Sequence, residues 1–181
     1  RDRALPDVAI INNAAGAHLE GFGSLQGVIN TKGEIFQGLN KINAEKEGVA
    51  VLNTDSAGYE DWLKMLTDLA VNKMIKFGSS DEADVRLSDF QTSTNREDGI
   101  SFTLEIEKDR HSVSMPILGY HNAMNAAACT AVSLAAGLEW SQIKPALESF
   151  TGVAGRLQKN KIKSGWLIDD SYNANPESVK A

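Results

Sequence analysis

A single cysteine, Cys129, in 181 residues leaves this chain with no intramolecular disulfide and no cysteine-built zinc site, a usage that suits a reducing compartment. Runs of basic residues are also missing. Eighteen Lys and Arg stand against 24 Asp and Glu, for a formal net charge of -6, so the chain lacks the electrostatic footprint of a nucleic-acid binder. No apolar run reaches membrane-spanning length and no signal-peptide pattern is present, so the reading is a cytoplasmic protein that does not insert into a membrane. Internal repeats and low-complexity tracts are absent as well. So is a starting methionine: Arg1 to Pro6 run directly into an apolar segment, which reads as an internal piece of a longer protein. What remains, 42% hydrophobic and 23% charged residues, is the composition of a globular chain long enough to bury a real core.

Two periods divide the chain. Val8–Ile11, Gly48–Leu52 and Met74–Phe77 are short, continuous apolar runs of the kind buried on both faces of a parallel sheet. Between them lie helix-period stripes. One begins at Ser24, a plausible N-cap, and runs to about Leu39; the other carries Tyr59, Trp62, Leu63, Leu66 and Leu69. Strand, helix, strand, helix, strand implies right-handed crossovers and a mostly parallel sheet flanked by helices. After Ser80 the period drops to two. Val85–Thr94, Ile100–Ile106 and Val113–Ile117 read as an antiparallel meander, a small sheet appended to the α/β layer. A small-residue helix follows Gly119, with Cys129 expected in its packed core. Another covers Ser141–Phe150, where Pro145 is tolerable only near the first turn. Thr151 to Gly155 breaks the pattern and marks a boundary: residues 1–151 form one domain, and 152–181 a linker and the start of another.

Three places carry unexpected chemistry. Lys32 falls within the first apolar stripe, between Val28 and Ile35/Phe36, where an ammonium is costly unless it snorkels, is paired or is chemically used. His18 stands fourteen positions earlier, in the glycine-rich loop after the first strand, and strand carboxyl ends are where ligands gather in open α/β sheets. Asn122 and Asn125 lie three apart at the start of the small-residue helix, hence on one face. Asn122 alone could be a cap. Two amides together suit planar recognition of a base, since each offers a donor and an acceptor. Trp166–Ile168 is another strand, ending in Asp169-Asp170-Ser171-Tyr172-Asn173-Ala174-Asn175-Pro176, which is either a further strand-end ligand site or a polar turn before the next helix.

Taken in order, His18 with Lys32 fourteen residues on, Gly-x-His-Asn-x-x-Asn at Gly119 to Asn125, Gly155-Arg156 and the Asp170 strand end resemble the Mur ligase family. These are the ATP-dependent amino-acid and peptide ligases of bacterial cell-wall synthesis. His-Leu-Glu-Gly-Phe-Gly-Ser at His18 and Asp-Asp-Ser-Tyr-Asn-Ala-Asn-Pro at Asp169 are most similar to the branch that joins D-alanyl-D-alanine to UDP-N-acetylmuramoyl-tripeptide. The resemblance implies that His18 helps hold Mg2+ and that Lys32, carbamylated by carbon dioxide, supports a second. It places His121, Asn122 and Asn125 around the ATP adenine, Arg156 at the ribose and phosphates, Asp170 at the ribose, and Tyr172, Asn173 and Asn175 in a nucleotide-facing motif. The implied reaction phosphorylates the tripeptide carboxylate with ATP, after which the D-alanyl-D-alanine amine attacks the acyl phosphate. An apolar stripe depresses a lysine pKa and would favour the neutral amine that carbamylation requires.

The family's phosphate-binding string, Gly-x-x-Gly-Lys-Thr-Thr or similar, does not occur in this chain. The expectation is therefore most of a central ATP-binding domain plus the entry to the next. Such a piece is expected to be inactive alone, to bind ATP poorly, and to be open to self-association along exposed sheet surface. Competing readings are another Mur-type or folylpolyglutamate synthase-like ligase, or a non-catalytic domain of the same fold.

Overall fold

The computed structural model describes residues 5–14, 23–39, 48–93 and 99–172. Strands β1 (Val8–Ile11), β2 (Val49–Asn53) and β3 (Met74–Gly78) pair in parallel, β1 on β2 and β2 on β3. Strand β4 (Val85–Thr92) then joins β3 in parallel through Phe77–Val85 and Gly78–Arg86. Strands β5 (Ile100–Ile106) and β6 (Asp109–Met115) continue antiparallel, giving one six-stranded sheet in sequence order. The meander expected after Ser80 is present, joined edge to edge with the parallel strands, so one sheet carries both. A second, two-stranded antiparallel sheet is formed by β7 (Gln158–Ile162) and β8 (Gly165–Asp169).

Alternation along the parallel strands separates two cores. Ala9, Ile11, Ala50 and Leu52 point to one face, where helices α1 (Leu25–Gly33) and α2 (Tyr59–Asp68) bring Val28, Ile29, Trp62 and Leu66. Val51, Phe77 and the inward residues of β4–β6 point to the other face. There they meet helix α3 (Tyr120–Ala135) and Ile143 and Leu147 of helix α4 (Trp140–Ser149). Coverage on both faces explains the continuous apolar runs. The alanine-rich α3 buries Ala123, Ala126, Ala127 and Ala131 on the sheet, where small side chains permit close approach. Cys129 departs from expectation. It lies on the opposite side of α3 and is exposed, because the alanines around it occupy the sheet-facing positions. Pro145 also sits deeper in α4 than its first turn, so the helix tolerates one missing N–H.

The first helix ends sooner than its apolar pattern suggests. Ser24 caps it, accepting from Gly27 N–H at 3.1 Å, but α-geometry stops at Gly33 and a 3-10 segment spans Glu34–Gly38. The α-helical face buries Val28, Ile29 and Gly33, and the 3-10 turn beyond it carries Phe36 inward. Gly33 and Phe36 face inward, whereas Lys32 and Ile35 are exposed. Gly33 is needed for a close approach: a Cβ there would lie 2.8 Å from the Met65 thioether. Trp62, fully buried beside it, donates its indole N–H to the Ile29 carbonyl at 3.0 Å, tying α2 to α1.

Tyr59, at the start of α2, reaches from this core to the loop after β3, where its hydroxyl donates to Glu82 at 3.3 Å. Burial, reinforced by the negative charge of Glu82 and the hydrogen bond to it, pushes the phenol up to about 12 from 10.0. The unfolded chain releases this proton near pH 10 while the folded chain keeps it, so fewer protons are bound in the unfolded state across that window and stability falls as pH rises. Between pH 10 and about 12, the urea midpoint is expected to fall further in the wild-type chain than in Tyr59→Phe; equal falls would show that Tyr59 does not carry the loss.

Candidate functional site

The polar residues at the carboxyl ends of β1, β2 and β3 are linked to one another. Asn53, ending β2, donates Nδ2–H to the Asn12 carbonyl at 2.8 Å and accepts Asp55 N–H at 2.8 Å. The Asp55 carboxylate in turn accepts Ser79 N–H, just beyond β3, at 2.8 Å. Ser56 accepts Ala14 N–H at 3.0 Å and donates to the Asn13 side chain at 3.2 Å. These bonds fix the turn that leaves β1. Lys32 reaches the same turn from α1, its Nζ donating to the Asn13 carbonyl at 2.6 Å. The expected lysine within a buried stripe is thus corrected: the inward face of α1 runs through Val28, Ile29 and Gly33, Lys32 stands at its exposed edge, and the argument that burial prepares its amine loses its premise.

Helix α3 meets this network at its first turns. Asn12 donates Nδ2–H to Oδ1 of Asn125 at 2.9 Å. Asn122 donates Nδ2–H back to the Leu118 carbonyl at 2.6 Å, so its side chain serves no capping role toward the helix N–H groups. The helix follows Gly119 at φ +93, where a Cβ would stand 2.6 Å from the ring of His121. His121 itself is exposed and does not line the cavity described next.

A cavity of about 610 Å³ opens between α3, α4 and the segment leading into β7. Asn122, Asn125 and Arg156 line it together with Cys129, Ile143 and Phe150. Its walls are mostly apolar with a few amide and guanidinium groups, the make-up of a small-molecule site. Cys129 is exposed as a residue, yet partial desolvation of its thiol against the cavity wall pushes it up, which makes it a slow nucleophile at neutral pH.

Among the described residues an aromatic ring, and no acid, orients Arg156. Its guanidinium lies 4.3 Å from the Tyr172 ring centroid, within cation–π range. Tyr172 is held by its N–H on the Gly155 carbonyl at 3.0 Å, and Gly155, at φ +73, has Tyr172 atoms 3.3 Å from where a Cβ would stand. Asp170 accepts Leu157 N–H at 3.2 Å, fastening the left-handed turn at Leu157, φ +45. Hydrogen bonds from the Ser171 side chain and N–H hold the Asp169 carboxyl below its usual range.

Of the residues singled out in the sequence, the cavity gathers Asn122, Asn125 and Arg156, with Tyr172 and Asp170 behind the arginine. Lys32 belongs to the strand-end network, which touches the cavity through the Asn12–Asn125 bond. His18, Asn173 and Asn175 lie outside the described residues. Among the described residues no group of three or more His, Cys, Asp or Glu could hold a metal ion. Asn12, Asn53 and Cys129 were not singled out as site residues. Asn12-Asn13 at a strand end was the visible signal; its partner lies 113 positions away.

The sequence profile of the Mur ligase middle domain matches residues 2–133. The UDP-N-acetylmuramoyl-tripeptide--D-alanyl-D-alanine ligase of Escherichia coli (strain K12) is 40% identical over 180 residues, covering 97% of this chain and 37% of that protein. Among solved structures, MurF from Acinetobacter baumannii gives a TM-score of 0.83 at 29% identity, over 98% of this chain and 36% of that one. MurF ligase from Thermotoga maritima, in complex with ADP, gives 0.79 at 26%, over 98% of this chain and 38% of that one. The chain thus spans little more than a third of these relatives. With the profile matched over most of its length and the same fold in these relatives, this chain belongs to the Mur ligase family.

Proposed function

We propose that this chain is the nucleotide-binding part of an ATP-dependent amide ligase that joins D-alanyl-D-alanine to UDP-N-acetylmuramoyl-tripeptide in peptidoglycan precursor synthesis. The observation that carries the reading is the cavity in which Asn122, Asn125 and Arg156 converge on mostly apolar walls. Mostly apolar walls suit a purine, the amides suit its polar edge, and a guanidinium held over the Tyr172 ring suits the ribose and phosphates. The relatives' names supply the substrates, and the T. maritima structure has ADP bound. ATP bound here supplies the phosphoryl group that activates a carboxylate for attack by an amine. On this reading residues 1–151 make up most of the ATP-binding domain and 152–181 lead into the ligase domain, a division in keeping with the separate β7–β8 sheet. A cytoplasmic site of action fits such substrates; no helix among the described residues is long and apolar enough to cross a membrane.

The metal is a different matter. The described residues offer no donor cluster for Mg2+, so no step is assigned to it, and the proposed ligand role of His18 rests on the resemblance alone. For Lys32, exposure leaves the amine open to carbon dioxide, and the Asn13 carbonyl can accept an N–H before and after carbamylation. His121, which stands outside the cavity, is retained only as a neighbour of the amide pair, and Asn173 and Asn175 as members of the motif that Tyr172 begins.

Two outcomes test this reading. Cys129 lines the cavity, so in a full-length ligase carrying this segment a saturating millimolar concentration of ADP should slow its alkylation at pH about 9 at least fivefold, by roughly one plus the ratio of ligand to Kd. An unchanged alkylation rate would remove the cavity as the nucleotide site. In a full-length ligase carrying this segment, Lys32→Ala should lose activity that short-chain carboxylic acids partly restore; full activity without them would make Lys32 an ordinary surface lysine.

A further inference from the structure

One peptide at the end of β1 is gripped on both of its edges. The unit joining Asn13 to Ala14 accepts at its C=O from the Nζ of Lys32, at 2.6 Å, and donates its N–H to the Ser56 hydroxyl oxygen, at 3.0 Å. Both directions are fixed by chemistry, since an ammonium and a main-chain N–H can only donate. A peptide is planar and trans, so its C=O and N–H point opposite ways. Whatever holds the N–H therefore also decides where the carbonyl points.

The two grips differ in stiffness. Lys32 is exposed and arrives on a flexible four-carbon stem, so it can follow the carbonyl but cannot set its direction. Ser56 is buried, with 7% of its surface exposed, and its own backbone is tied on both sides. Its N–H donates to the Asn53 carbonyl at 3.3 Å, and its carbonyl accepts the N–H of Tyr59, the first residue of α2, at 3.0 Å. The hydroxyl is thus the fixed point and the lysine the mobile partner. Ala14 is buried as well. Without the Ser56 oxygen its N–H would stand unpaired away from water, a state that buried backbone avoids. Rotation of the peptide would relieve it, and that rotation carries the carbonyl away from Lys32.

We propose that Ser56 is a positioning residue for Lys32: by holding the Asn13–Ala14 peptide it presents the carbonyl that keeps the Lys32 amine at the carboxyl end of β1, where the ligase reaction uses it. Ser56 acts through the peptide and not on a reacting group. A long side chain left to itself samples many rotamers, and fixing one of them costs entropy that a preformed acceptor offsets. This role rests on the proposed use of Lys32 and names what aims its amine.

Two readouts in a full-length ligase carrying this segment test the role. The first is reductive methylation in bicarbonate-free buffer, read by mass spectrometry. Ser56→Ala should speed labelling of Lys32 at least about threefold relative to the exposed Lys64 of α2, because an amine tied to a carbonyl reacts less readily than a free one. The second is a double-mutant comparison of rates. Ser56→Ala should lower kcat about tenfold in the wild-type background. In Lys32→Ala restored by a short-chain carboxylic acid, it should change the rate less than about twofold, since no lysine is left to aim. A merely structural role costs the same in both backgrounds. An unchanged labelling ratio, an undiminished kcat, or an equal loss in both backgrounds overturns the role of Ser56 and leaves the use of Lys32 standing. Full activity of Lys32→Ala without added acid removes the use of Lys32 and this role with it. Labelling decides alone if no acid restores Lys32→Ala. If Ser56→Ala does not fold, Ser56→Cys, close in size but a weak acceptor, decides by the same criteria.

Discussion

Burial of β1, β2 and β3 on both faces is the constraint from which the site follows. With α1 and α2 on one side and α3 on the other, the middle of each strand has room only for apolar side chains. Polar chemistry is displaced to the strand ends. At the carboxyl ends, Asn12, Asn13, Asn53 and Asp55 satisfy one another and the backbone turns that leave the sheet. This arrangement stiffens the segment that Lys32 and Asn125 both touch. Lys32 comes from the layer above the sheet and Asn125 from the layer below, and the Asn12-Asn13 turn is where the two layers meet.

The cavity depends on the same economy of side-chain size. Alanines let α3 sit close on the sheet, and its outer side, with Asn122, Asn125 and Cys129, is left facing α4 and the segment before β7. Arg156 enters from that segment, held against Tyr172 by a turn that needs the left-handed glycine at 155. A nucleotide in this cavity would therefore touch both the six-stranded sheet's helices and the β7–β8 sheet. Such a position suits a ligand that bridges the two sheets.

Much of this was legible in the residues themselves. Continuous apolar runs identify β1, β2 and β3, and alternation identifies β5 and β6, because burial on two faces and on one leave different patterns. Adjacent amides at Asn122 and Asn125 could be read because three-residue spacing puts them on one helix face. Lys32 could not be placed by period. Its spacing from both Val28 and Phe36 is one turn, so the period admits it, but the closely packed Gly33 takes the inward position and leaves Lys32 at the edge of the face. Cys129 was misplaced for a related reason: in a run of small residues every position resembles core, and only packing tells which side faces the sheet. The Asn12–Asn125 bond was out of reach altogether, since nothing local connects residues so far apart in the chain.

The central claim is that a nucleotide base occupies the cavity between α3 and α4. A crystal structure of a full-length ligase carrying this segment, soaked with ADP, tests it most directly. The account predicts the adenine against Asn122 and Asn125, with Arg156 turned toward the ribose and phosphates. Adenine bound anywhere else on the chain, with the cavity left to solvent, would contradict it.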